Sequence, residues 1–105
     1  MAVTYRDRAV IERGTIGEDG SLGSFEPVAR NVRCFFWETL EKRIAVEGEI
    51  YVAQAGALFD PAVDIQRRDI VEIRERRFEI MDIFPGRTFR AVHKFNHAVL
   101  RESEA

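Results

Sequence analysis

The chain is poor in the residues that usually announce chemistry: one cysteine, two histidines and one tryptophan in 105 residues. A single Cys34 cannot form an intrachain disulfide, so the fold is not held covalently, and synthesis in a cytoplasm is expected. No apolar run approaches the roughly 20 residues that cross a bilayer as a helix. The opening MAVTYRDRAV has no hydrophobic leader core, and no membrane partner is expected. Neither sign of charge dominates, with 16 Lys and Arg against 18 Asp and Glu for a net charge of −2. Proteins that grip nucleic acid concentrate cations, because affinity comes largely from neutralised phosphates. Here the arginines of 67–77 are interleaved with Asp69, Glu72 and Glu75, the pattern of a solvated face.

What remains is an ordinary globular composition, 46% hydrophobic with 8 phenylalanines. That length supports one core, hence a single domain over 1–105 with 1–7 and 101–105 as frayed ends. Short β-branched runs recur between turn signals. Arg8 to Arg13 is followed by glycines at 14, 17, 20 and 23, which read as a long flexible hairpin connection from Gly14 to Ser24. In VARNVRCFFWE, Val28 to Glu38, alternation sends Val32, Cys34 and Phe36 one way and Arg33, Phe35 and Trp37 the other. Residues 39–48 are open between one or two helical turns, from Leu40 and Ile44 at i,i+4, and a charged loop. Ile50 to Phe59 reads as a strand closed by Asp60-Pro61. Ile70 to Ile73 and Phe78 to Ile83 flank the charged turn Arg74-Glu75-Arg76-Arg77, and a last strand ends at Leu100. The expectation is an all-β fold, a small antiparallel β-barrel or sandwich of about six strands with at most one short helix. Its predicted core is Val32, Cys34, Phe36, Val71, Ile73, Phe78 and Ile80.

Candidate chemistry is sparse. The glycine series lacks the lysine and spacing of a phosphate loop, and lacks the alternating acids of a calcium loop. His93 and His97 are four apart, but Lys94 stands where a metalloprotease helix has glutamate, so no metal is expected. Cys34 lies in a strand that reads as buried, where a thiol behaves as a small hydrophobe rather than a nucleophile. Serine occurs only at 21, 24 and 103, in the glycine segment or the tail, which are poor supports for a rigid triad. No catalytic residue and no cofactor are expected, and the chain does not read as an enzyme.

The order of elements, carried by Phe36-Trp37-Glu38, Phe59-Asp60-Pro61, Asp64-Ile65, Asp69-Ile70-Val71 and Arg77-Phe78-Glu79-Ile80 with Ile83, resembles the head–tail connector proteins of tailed bacteriophages. These are the head-closure, stopper, adaptor or head–tail joining proteins. The resemblance implies a virion structural protein of the neck, made in the host cytoplasm. It would be a small barrel forming a homo-oligomeric, twelve-fold ring between the portal or adaptor on the head side and the tail or tail-terminator protein on the other. DNA would pass through its channel without sequence-specific binding. Two features depart from the family pattern: the hairpin turn has no glycine, and 39–48 is short for a channel-closing loop. The alternatives are an SH3-like or oligonucleotide-binding (OB-like) barrel module of a cell, and a tail-terminator or tail-completion ring. Candidate interface residues are Lys42 and Arg43 after the tryptophan strand, and Arg74, Glu75, Arg76 and Arg77 in the hairpin.

Overall fold

The computed structural model describes residues 5–16, 22–46, 48–87 and 94–103. Its elements are β1 (Asp7–Ile16), β2 (Leu22–Val46), β3 (Glu49–Phe59), β4 (Ile70–Ile73), β5 (Arg76–Arg87) and β6 (Lys94–Glu102). They close into a barrel in the order β1-β2-β3-β6-β5-β4. The seam is the short β4, which pairs β1 from Ala9↔Ile73 to Glu12↔Ile70. Every neighbour is antiparallel. The all-β expectation of about six strands holds, with no helix among the described residues.

Residues 39–46 are neither helix nor loop. Thr39 to Val46 continue β2, and Lys42 to Val46 pair with Ala53 to Glu49 of β3. Leu40 and Ile44 gave a helical spacing only one turn long, and a nonlocal β-partner rich in Tyr51, Val52 and Ile50 outweighs so weak a local preference. A straight strand of 25 residues would run about 80 Å, far beyond the longest molecular extent of 47 Å. Thus β2 must bend. Its register shifts three times against β1, one of them with Arg30 and Asn31 opposite the single Val10. Asn31 has φ 55°, a left-handed bulge conformation that asparagine tolerates. The shift against β3 sets Thr39, Leu40 and Glu41 opposite Gln54.

The glycine connection is shorter than expected, because Gly14 pairs Phe25 and Ile16 pairs Leu22 in the β1–β2 ladder. Only 17–21, its tip, lies outside the described residues. Near the two ends, residues 7 and 101–103 are joined to neighbouring strands. Asp7 pairs Cys34, Arg101 and Glu102 pair Glu79 and Phe78, and the Ser103 amide donates to the Arg77 carbonyl.

Alternation builds the core. Ile11, Cys34, Phe36, Phe59, Val71, Ile73, Phe78, Ile80 and Leu100 are buried, with alanines 57 and 98 making room for the rings. Phe36 and Phe78 meet with centroids 5.2 Å apart, and each such ring is worth about 1.5–3 kcal/mol of burial. Of the seven predicted core residues only Val32 is partly exposed, and it still packs against the cluster.

One polar group enters this interior. Asp69 is 2% exposed and accepts from Arg13 Nε (3.0 Å) and Nη2 (2.9 Å), and from the Gln66 amide (2.9 Å). The Asp69 carbonyl takes the Ile80 amide, and the Ile80 carbonyl takes the Arg68 amide. Arg13 Nη1 also reaches Asp64 at 3.1 Å. A buried carboxylate is tolerable only when so paired. The arrangement ties β1 to the 60–69 connection and to β5, and Asp69, first, holds the Arg13 guanidinium more firmly protonated than usual.

Candidate functional site

Antiparallel order sorts the features between two barrel ends. One end carries the β4–β5 turn, the start of β1, the finish of β6 and the β2–β3 hairpin. The other carries the 60–69 connection, the ends of β1 and β5 and the starts of β2 and β6.

The charged hairpin turns more tightly than its four charged residues suggest. Ile73 pairs Arg76 and Glu72 pairs Arg77, so Arg74 and Glu75 alone form the turn. Their φ values of 53° and 64° are those of the mirror-image two-residue turns that match strand twist. Arg76 and Arg77 belong to β5. The arginines do not simply face outward either. Arg74 Nε donates to Asp7 at 2.9 Å, and the other Asp7 oxygen accepts the Phe36 amide at 3.3 Å. Arg76 is held between Glu38 and Glu102, the latter at 2.9 Å. These two carboxylates, Glu38 first, raise its already high pKa. Arg77 Nη1 lies 2.5 Å from Glu12 and 3.7 Å from Glu72. Arg74 and Arg76 also cover the rings of Phe36 and Phe78 at 5.3 and 5.1 Å. These side chains tie β1, β2, β5 and β6 together at one end of the barrel, a role hidden from the sequence because Asp7, Glu38, Glu102 and Glu12 stand 26 or more residues from the arginines they hold.

Lys42 and Arg43 sit on the β2–β3 hairpin, opposite Ala53 and Val52. The Lys42 side chain lies outside the described ones, and Arg43 is exposed. Because β3 pairs with β6 only from Ala55 to Phe59, Lys42–Val46 and Glu49–Ala53 have only each other among the described residues. They form a two-stranded ribbon that is buried at its Ala53 end and at its Ile50 end runs past the β3–β6 pairing. Its Ile50 is 71% exposed.

The apolar end of β2 has Phe36 in the core on its inner side, while Phe35 on its outer side is 37% exposed. Phe35, Leu58, His97 and Phe84 are direct cross-strand partners on the outer face of β2, β3, β6 and β5. Trp37 lies across Gly56, where an added Cβ would come within 2.4 Å of ring atom Cζ2. The ring also meets Phe35 at 5.9 Å and His97 at 5.2 Å. Beside it opens a groove of about 320 Å³ whose walls include Trp37, Gly56, Phe84, His97 and Val99. Phe84 is 49% exposed. Sequence reading flagged the apolar strand end but could not place Phe84 and His97 beside it, since they arrive by register alone.

His97 stands on this face between Leu58 and Phe84, while His93 lies outside the described residues. Among the described residues no three metal-binding side chains gather. Cys34 is fully buried, and burial pushes its thiol up to about 12, with the Asp7 charge adding to the effect. A thiol so protonated is no nucleophile at neutral pH.

Among solved structures, the chain is similar in fold to the protein xkdH of the phage-like element PBSX from Bacillus subtilis. The TM-score is 0.51 at 17% identity, over 90% of this chain and 92% of that one. No protein-family model matches the chain, and no curated protein does. The likeness is one of fold.

Proposed function

We propose that this chain is a virion structural protein of a tailed phage or phage-like particle, acting in the neck as a ring that joins the portal of the filled head to the tail. The observation that carries the reading is the likeness in fold, over nearly the full length of both chains, to a protein of a phage-like element. The pattern from Phe36-Trp37-Glu38 to Ile83 agrees with it. Assembly, rather than turnover, also suits the distribution of chemistry on the barrel. Its best-organised polar groups, Asp69 with Arg13 and Arg76 with Glu38 and Glu102, are spent on holding strands together. Apart from Val28, the large apolar side chains exposed among the described residues lie on the outer face of Phe35 and Phe84 and on the ribbon of Ile50 and Val52.

An oligonucleotide-binding barrel would use such an aromatic face for stacking bases, but it would frame the rings with Lys and Arg. Here the charged group in the row of Trp37, Gly56 and Val99, two residues from Phe84, is the Asp82 carboxylate. The reading is tested by deleting the gene from a particle-producing host and imaging the products. Filled or leaking heads separated from complete tails, rejoined when the protein is added back, are expected. Normal joined particles would refute the neck role. Tails of irregular length on otherwise normal necks would instead favour a tail terminator.

A further inference from the structure

Two exposed apolar features stand on different parts of the chain, and each has an unpaired charge beside it. On the ribbon, Ile50 pairs Ala45 and Val52 pairs Arg43, so all four side chains share one face. Ile50 is 71% and Val52 37% exposed, and Ala45 and Arg43 are exposed as well. Arg43 has no ion pair among the described residues, unlike Arg13, Arg74, Arg76, Arg77 and Arg101. On the barrel wall, the groove between Trp37 and Phe84 is floored by Gly56 and Val99. Val99 pairs Asp82. That carboxylate takes only the neighbouring Ile83 amide, at 2.9 Å, and has no cationic partner among the described residues.

We propose that the ribbon of one copy docks into the Trp37–Phe84 groove of the next copy, with Ile50 and Val52 seated against the aromatic wall and Arg43 paired to Asp82. Apolar surface meets apolar surface, and the one cation on the ribbon face meets the carboxylate at the groove. The Ile50 end of the ribbon runs past the β3–β6 pairing and has no third strand beside it among the described residues. Ribbon and groove are different patches, so the contact is heterologous and repeats from copy to copy, which closes a ring or extends a filament. This deepens the proposed ring, and moves its lateral contact from the arginines of the β4–β5 hairpin, which are engaged within the subunit, to the β2–β3 ribbon.

The buried Cys34 leaves a nearly clean background for engineered thiols. Ile50→Cys and Phe84→Cys proteins, oxidised separately and as a mixture at high concentration, are resolved on a non-reducing gel. The mixture should give a cross-linked dimer that neither protein gives alone, and a chain carrying both substitutions should give a ladder. Arg43→Asp in the Ile50→Cys protein should slow the mixed cross-link several-fold, and Asp82→Arg in its Phe84→Cys partner should restore it. Dimers of Ile50→Cys alone would mean that like patches meet, and would overturn the proposal. So would a mixture without the mixed dimer, or a Phe84→Cys protein that cross-links only to another particle protein. None of these results depends on where the protein sits in a virion. Failure here leaves the neck reading standing, and normal particles after gene deletion leave the ribbon contact standing.

Discussion

Replacing Glu75 by glycine should make this protein more stable, although it removes a side chain and adds backbone freedom. Arg74 and Glu75 hold φ values of 53° and 64°, where an L-residue other than glycine or asparagine is strained by about 1–2 kcal/mol. Glu75 is exposed and makes no ion pair among the described residues, so little is lost with its carboxylate. Arg74 is left in place because it pairs with Asp7 and covers Phe36. Glycine gives up about 0.4–1 kcal/mol through the entropy of the unfolded chain. The net gain is about 1 kcal/mol, or roughly 4–8 °C in Tm for a domain of this size. Glu75→Val, β-branched at the same φ, should lose about 1–2 kcal/mol. Urea unfolding at unchanged slope measures both. If the glycine and valine variants unfold together with the parent, the turn does not carry this strain, and the pairing of Ile73 with Arg76 must be wrong.

Truncating Phe78, fully buried against Phe36, to alanine should cost about 3–5 kcal/mol, most of a small domain's stability; a variant melting like the parent would remove the hairpin from the core. Gly56→Ala must displace the Trp37 ring, which lies too close to admit a Cβ. A shifted tryptophan emission and a loss of about 1–3 kcal/mol are expected, and an unchanged spectrum would deny the stacking. Reversing both Arg76 and Arg77 to glutamate sets like charges against Glu38, Glu102, Glu12 and Glu72. A loss of about 2–3 kcal/mol is expected in low salt, smaller in high salt, whereas the sequence alone read these arginines as part of a solvated face. Cys34 has its folded pKa raised to about 12 from an ordinary 9.0. The unfolded thiol therefore ionises first, and stability should fall as pH rises from about 9 toward about 12, by at most about 1.4 kcal/mol per pH unit. Cys34→Ala should lack that component in a pH series of urea unfolding curves.

Period-two alternation made much of the barrel legible from the sequence. Cys34 and Phe36 in β2, Val71 and Ile73 in β4, and Phe78 and Ile80 in β5 point inward because a strand has no other way to bury half its side chains. Local turn chemistry ended β3 at Asp60-Pro61 for the same kind of reason. Both are properties of a few neighbouring residues, so the chain carries them whatever it later packs against. Register and charge pairing are different in kind. Whether 39–46 was helix, loop or strand depended on the strand lying beside it, and β3 decided. The arginines of the hairpin read as solvated because their neighbours in sequence are acids, yet Arg76 answers to Glu38 and Glu102 on other strands. Asp69 looked like one acid among 18, and only closure of β4 onto β1 buried it against Arg13. Phe84 and His97 became part of one outer face with Trp37 through the pairing of β6 with β3 and β5. Contacts between residues far apart in the chain leave no periodic trace in either segment. Tertiary structure alone therefore decided where the candidate surface lies and that the strands close into a barrel, while the sequence had already determined an antiparallel all-β fold of about six strands.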